Sequence, residues 1–348
     1  MTRIGWIGCG NHAAEMLLPQ LIRLPVTLAA IADPDPARLA LIGDRYGVPA
    51  RFADGAALLD HPGLEAVGMA VGPTVHAKLG AVALERGLAV FMEKPPAPTA
   101  RDAEALAEIA ARTRRPCVVG FMKRYSTANR IAANLLAAPE FGPRASLLGQ
   151  YMTAPGYFEG NPDYTGFLLH HCVHAMDLVP WLMGEPITTI TARRHELAPA
   201  KLLLHVGFGF ASGALATVVM GTHQSRGTPM EWWQVMGDHK RVEIRNVHEV
   251  RYYRAPGFKS ADPAATLDPA QDALLWEPNQ TAAANEDHKG YHALLAAFLA
   301  RVRGEPSDAP SIHDGLRAMR VLEAMIRSMQ SEGAVVAAEG FEPPTKGL

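Results

Sequence analysis

Cysteine is scarce in this chain: of 348 residues only Cys9, Cys117 and Cys172 are cysteines, and they lie far apart. An odd, scattered set offers no disulfide framework, so a reducing, cytoplasmic setting is expected. Long apolar runs are missing too. Nothing approaches the roughly 18 consecutive apolar residues of a membrane span. The short apolar stretch after Met1 has neither the length nor the cleavage pattern of a secretory signal. Charge of one sign is not in excess, with 33 Lys and Arg against 35 Asp and Glu and a formal net charge of −2. No basic field or basic block is present to recruit nucleic acid. Internal repeats are absent. What remains is an ordinary globular composition, 48% hydrophobic and 20% charged, long enough for two domains of about 150 residues each.

The first third alternates strand and helix signals. Strands are expected at 4–7, 27–32, 66–71, 88–92 and 118–121, with helices at 11–23, 36–46, 75–86 and 99–113 between them. This order builds βαβ units and a parallel sheet. After Phe121 the pattern changes to successive strands without helices between most of them, near 145–153, 188–194, 201–210, 214–222, 231–237, 240–246 and 249–254. Val206, Phe208 and Phe210 alternate with His205, Gly207 and Gly209, as on a sheet with one covered face. Helical patterns at 290–303 and 312–331 close the chain. The expected fold is α/β: an N-terminal Rossmann domain with a parallel sheet over 1–121, then a C-terminal α+β domain with an open, mostly antiparallel sheet over 122–336. Residues 337–348 read as a mobile tail. Codons for 339–345 can spell the T-arm of a transfer-RNA gene, an alternative origin for that stretch.

Gly8-Cys9-Gly10-Asn11-His12-Ala13 fits the dinucleotide fingerprint G-x-G-x-x-G/A, between a predicted strand and a predicted helix. Gly8 permits the tight turn, Gly10 lets a pyrophosphate approach the backbone, and Ala13 is small enough for close helix–strand packing. Asn11 and His12 open the helix whose N-terminus meets the phosphates. Asp33 ends the next strand 23 residues after Gly10. It would accept hydrogen bonds from the ribose hydroxyls and repel a 2′-phosphate, favouring NAD over NADP.

Together with the fingerprint, Val90-Phe91-Met92-Glu93-Lys94-Pro95 resembles the glucose–fructose oxidoreductase, inositol dehydrogenase and rhizopine-catabolism (Gfo/Idh/MocA) superfamily, which carries Glu-Lys-Pro after the fifth Rossmann strand. His76 matches a family histidine after the fourth strand, with Gly72-Pro73 where Pro-Asn is usual. Gly120-Phe121-Met122-Lys123-Arg124 resembles the segment leading into the second domain. The segment 166–177 resembles G-x-x-x-D-x-G-x-H-x-x-D, matching at His174 and Asp177, with His170 in place of Asp and Cys172 in place of Gly. The resemblance implies cofactor contacts from Pro73, His76 and Glu93, a substrate contact from Arg124, a cis peptide before Pro95, and a homo-oligomer formed through the open sheet. It implies oxidation or reduction at a carbinol carbon of a sugar, polyol or related small molecule.

That chemistry needs a hydride acceptor, a base for the hydroxyl proton and a donor that polarises the developing carbonyl. Lys94 suits the last role and Glu93 a positioning role. His170 and His174, four apart, share a helix face, and neutral His174 suits the base. The same pair with Asp177 could mimic a zinc site, but the zincin pattern with its central Glu is absent, and no metal is expected. Two other functions stay open: an NAD-dependent glycosidase and a non-enzymatic dinucleotide sensor. A small-molecule substrate is expected, with neither nucleic acid nor membrane as partner.

Overall fold

The computed structural model describes residues 1–154, 165–225, 228, 230–254, 272–278 and 287–338. Two compact units make up the chain: Met1–Tyr125 with Gly290–Met319, and Ser126–Lys289 with Arg320–Leu348.

In the first unit six strands, β1 (Thr2–Ile7), β2 (Val26–Ala32), β3 (Ala50–Phe52), β4 (Ala66–Met69), β5 (Ala89–Met92) and β6 (Cys117–Val119), form a sheet in the order β3-β2-β1-β4-β5-β6. Every pairing in it is parallel. The order reverses between β1 and β4, the crevice at which doubly wound folds bind dinucleotides. Local chemistry sets the crossover helices. Asp35 caps α2 (Pro36–Tyr46) by accepting from Ala37 N at 2.9 Å, and Gly47 ends it at φ 64°. Thr99 caps α5 (Ala100–Thr113), accepting from Asp102 N at 3.1 Å while its hydroxyl donates to the Asp102 carboxylate at 2.7 Å. The remaining crossovers are α3 (Gly55–Leu58) and α4 (Pro73–Glu85).

The first helix departs from the expected regular stretch over 11–23. It opens with a π-helical turn at Ala13–Leu17, in which Leu18 N–H donates to Ala13 O, five residues back, before α1 (Leu18–Leu21). The cause is Pro19, which has no N–H to give the carbonyl four residues behind it. The core of this unit joins Trp6, Phe91 and Phe298, with ring centroids 6.1 and 5.8 Å apart, to Leu17, Leu18 and Leu21. Phe298 comes from α9 (Tyr291–Val302), whose Leu294, Leu295 and Leu299 enter the same cluster. A boundary drawn linearly at residue 121 puts this helix with the later strands; its apolar stripe instead completes the first unit.

The second unit holds a nine-stranded sheet in the order β14-β13-β12-β11-β7-β10-β9-β8-β15. Its strands are β7 (Arg144–Met152), β8 (Ile187–Ala198), β9 (Lys201–Phe210), β10 (Leu215–Gly221), β11 (Glu231–Gly237), β12 (Lys240–Arg245), β13 (Glu249–Tyr253), β14 (Leu274–Trp276) and β15 (Val336–Ala337). β7 and β10 run parallel, and the other pairings are antiparallel. Along β9, Leu202, Leu204, Val206, Phe208 and Phe210 are buried. On its other face Gly207 and Gly209 lie beside the hydroxyls of Thr191 and Thr189, which leave no room for a Cβ. α6 (Thr127–Ala137) packs on β12 and β13, and after the short α7 (Thr165–Phe167) comes α8 (Val173–Met183), which packs on β7. The last helix, α10 (Ile312–Gln330), starts among residues of the first unit and ends among those of the second. Residues 337 and 338, expected in the tail, belong to the sheet edge: Val336 pairs with Ile190, Ala337 with Thr189, and Ala338 N donates to Thr188 O at 2.9 Å. The coding expectation for 339–345 falls outside the described residues.

Candidate active site

Gly8 ends β1 at φ +92°, a conformation open to glycine and costly for other residues. Space adds a second demand, because a Cβ there would run into Ala70 O and lie 2.7 Å from Val71 Cγ1. The turn is tied down by Gly8 N donating to Ala32 O at 2.8 Å and by the buried Trp6 Nε1–H donating to Gly8 O at 3.0 Å. Above Gly10 the space is open, with Arg38 Nη1 at 3.6 Å the nearest atom to a Cβ built there, and nothing lies within 4 Å of one built at Gly72. Asn11 and His12 are exposed, whereas Ala13 is packed at 1% exposure. Pro73 starts α4, where its missing N–H costs nothing.

Asp33 is 5% exposed, and both of its oxygens are engaged: Oδ2 accepts from Cys9 N at 2.7 Å and Oδ1 from Asp35 N at 2.9 Å. The carboxylate is therefore fixed against the glycine turn, with each oxygen keeping further lone-pair capacity for a diol. Cys9 stays a thiol. Burial pushes its pKa up to about 12, and neighbouring Asp33 adds to the rise while Arg38 opposes it. These features fit NAD: a cradle that a Cβ would fill, an open helix N-terminus and an acidic clamp.

At the end of β5, Glu93 Oε2 accepts from Lys94 N at 3.2 Å, and Oε1 lies 3.6 Å from His12 Nε2. Gly120 leaves room for this carboxylate, since a Cβ there would lie 2.7 Å from Oε1. His12 also meets the Tyr291 ring edge-on at 5.5 Å. The Lys94–Pro95 peptide is cis, as the resemblance implied. Burial lowers the Lys94 pKa; Glu93 opposes the shift, and the charge of buried Lys123 reinforces it. The sequence reading missed Lys123, although it stands in the quoted segment before Arg124.

Two residues are held by partners that the sequence did not show. His76 is fully buried and its ring is bonded on both sides, with Nδ1 3.0 Å from Pro95 O and Nε2 accepting from Val71 N at 3.2 Å, so neither nitrogen faces outward to a cofactor. Arg124 forms a partly buried ion pair with Asp314 at 3.1 Å, inside the first unit. Asp314 also accepts from Arg317 at 2.6 Å and from Ser311 N and Oγ, both at 2.8 Å. Its burial would raise its pKa, but the two guanidinium groups and the serine bonds outweigh that and hold it at about 2.

In the second unit, residues Leu168–Cys172 form a π-helical turn leading into α8. The wider turn changes which residues share a face. His171, not singled out from the sequence, stacks between Tyr151 at 3.7 Å and Phe167 at 5.3 Å. Its Nε2 donates to Tyr151 O at 3.3 Å. His174, 7% exposed, meets the same tyrosine edge-on at 6.3 Å, and Asp177 is buried on the same helix. His170 is half-buried on the π-helical turn. Among the described residues, no group of three or more His, Cys, Asp or Glu stands together as a metal site.

Comparison with known proteins adds to this geometry. Residues 2–121 match the Gfo/Idh/MocA model described as an oxidoreductase family with an NAD-binding Rossmann fold, and 159–337 match that family's C-terminal alpha/beta domain. The chain is 27% identical over 355 residues to an inositol 2-dehydrogenase of Leifsonia xyli subsp. xyli, covering 98% of this chain and 97% of the relative. It is 27% identical over 199 residues to a D-apiose dehydrogenase of Rhizobium rhizogenes, covering 56% and 57%. A solved levoglucosan dehydrogenase with NADH and L-sorbose shares the fold at a TM-score of 0.82 and 18% identity, over 97% of this chain and 98% of that one.

Proposed function

We propose that this chain, which belongs to the Gfo/Idh/MocA oxidoreductase family, is an NAD-dependent dehydrogenase acting on a secondary alcohol or ketone of a sugar, polyol or related small molecule. The observation that carries the reading is the glycine turn with Asp33 fixed against it. NAD, when bound, supplies the acceptor for the carbinol hydride. Asp33 holds the ribose diol, and the open backbone at Gly10 and Asn11 receives the pyrophosphate. His12 and Glu93 line the turn. Lys94 donates to the substrate oxygen, and burial, which lowers the pKa of its amine, eases that donation. His174 accepts the hydroxyl proton, and the half-buried His170 supports it. Arg124, paired with Asp314, keeps a structural role in this scheme.

The relatives' substrates set the panel: inositols, D-apiose, D-xylose and levoglucosan, each tested with NAD and NADP for reduced cofactor. A protein that binds neither cofactor would end the reading. The open sheet face supports assembly of identical copies. Leu148, Leu215 and Leu275 are 40%, 65% and 57% exposed and share it by register. A monomeric mass by light scattering at micromolar concentration would count against assembly. All three cysteines are free and buried, which supports a reducing, cytoplasmic setting.

A further inference from the structure

We propose that His76 is a positioning residue that links the cofactor turn to the Lys94 loop through the two nitrogens of one neutral imidazole. The inference rests on the dehydrogenase reading above. Pro95 O can only accept, so Nδ1, 3.0 Å away, carries the proton. Val71 N–H can only donate, so Nε2, 3.2 Å away, presents its lone pair. The neutral Nδ1–H tautomer satisfies both partners; an imidazolium or the other tautomer sets donor against donor or acceptor against acceptor. Burial of the ring favours the neutral form and Lys94 assists, against the Pro95 carbonyl, the Glu93 charge and the Met69 carbonyl.

The two bonds lead to different parts of the machinery. Val71 abuts the Gly8 turn, where a Cβ would lie 2.7 Å from its Cγ1. Pro95 directly follows Lys94 and Glu93. His76 itself is seated on the first turn of α4, with its N–H bonded to Gly72 O at 2.9 Å, and its side chain is 0% exposed. One ring therefore fixes the spacing between the loop after β4 and the loop after β5. Any buried imidazole needs a partner at each nitrogen, and what marks this one is that its two partners are backbone groups of different loops. Both bonds are made in the single protonation state that permits them.

The two bonds can be cut separately. An asparagine amide reaches about where Nδ1 stands and a glutamine amide about where Nε2 stands. His76→Asn keeps the link to Pro95 and leaves Val71 N–H unmet; it should weaken NAD binding about 5- to 10-fold, with a smaller effect on turnover at saturating cofactor. His76→Gln keeps the link to Val71 and frees Pro95. It should lower turnover about 10-fold or more, with a smaller effect on the NAD dissociation constant. Calorimetry with NAD reads the first effect, and NADH formation with the substrate found in the panel reads the second. Long-range proton–nitrogen spectra of the histidine-labelled wild type, without cofactor, should show His76 as the neutral Nδ1–H tautomer at pH 7. An Nε2–H ring or an imidazolium there overturns the proposal. So do two variants that alter binding and turnover in the same proportion, each tracking its own loss of thermal stability. Failure of the wild type to bind NAD is a different result: it rejects the dehydrogenase reading, and the spectrum still decides the tautomer.

Discussion

Replacing Asp33 by Asn tests the cofactor assignment at its most constrained point. The substitution preserves shape and removes one acceptor. In the wild type Cys9 N–H and Asp35 N–H each donate to a separate carboxylate oxygen, at 2.7 and 2.9 Å. An amide has one oxygen, so its NH2 group must face one of those two donors. A buried donor left unmet costs about 1–3 kcal/mol, and a hydrogen bond lost from a ribose hydroxyl to a charged acceptor costs about 1.5–3 kcal/mol. The first cost falls on the folded protein with or without cofactor and shows in thermal stability. The second falls on binding and, at about 1.4 kcal/mol per tenfold, weakens NAD by about 10- to 100-fold. NADP responds differently. Its 2′-phosphate, charged about −2, is opposed by the carboxylate in the wild type, and the amide removes that opposition. The affinity ratio of NAD to NADP therefore falls by more than the loss of NAD affinity alone. Calorimetric titration of both cofactors against both proteins measures it, with thermal unfolding as the control. If Asp33→Asn binds NAD as the wild type does, or loses both cofactors in equal proportion, the ribose clamp is wrong. Equal or tighter binding of NADP by the wild type would reject the preference for NAD.

Gly8→Ala places a methyl group against Ala70 O and forces φ +92° on a residue with a Cβ; NAD binding by calorimetry should drop at least about 100-fold, consistent with a loss of about 3 kcal/mol or more. Asp314, held at about 2 against an ordinary 3.8, contributes stability that is complete above about pH 4 and lost as pH falls from 4 towards 2, about 2–3 kcal/mol in all. Asp314→Asn should therefore lose about that much at pH 7 and flatten the acid limb, read by hydrogen exchange of β6 and α10 amides in urea; an unchanged acid limb would refute the pairing with Arg124. His174→Ala should lower turnover about 100-fold or more with NAD binding nearly intact, and wild-type turnover in that variant would remove His174 as the base.

The strands were legible where they were long enough to show a period or, like β4, β5 and β6, formed apolar runs between helix patterns. β9 announces its covered face through Val206, Phe208 and Phe210, and all three are buried. The three-residue β3 and β14 and the two-residue β15 hold too few positions to alternate; their neighbours' hydrogen bonds recruit them. α9 was legible as a helix with an apolar stripe, but a stripe does not name what it covers. Leu294, Leu295 and Phe298 could have faced the later strands and instead join Trp6 and Phe91. Pro19 was visible in the sequence, yet whether the chain would break or widen around it depended on packing of Leu17, Leu18 and Leu21 against that same cluster.

A similar division runs through the site. The requirement at Gly8 is a backbone conformation, and Asp33 lies at the end of the strand beside it, so a short stretch of sequence carries both. For Arg124 one partner is 190 residues away, at Asp314, and no local pattern in the sequence points to it. For the histidines of 168–174 the local helix type was not legible in their spacing, which fits an α-helical and a π-helical turn alike. A π-helical turn carries His171 onto Tyr151, so the neighbour to ask about when considering the basicity of His174 is the aromatic stack beneath it as well as His170. His76 shows the same limit from the other side. Its match to a family histidine marked the position, but its chemistry is set by a carbonyl 19 residues later and an amide five residues earlier. Those partners fix its proton on Nδ1, and that proton separates a ring that contacts the cofactor from one that holds in place the loops that do.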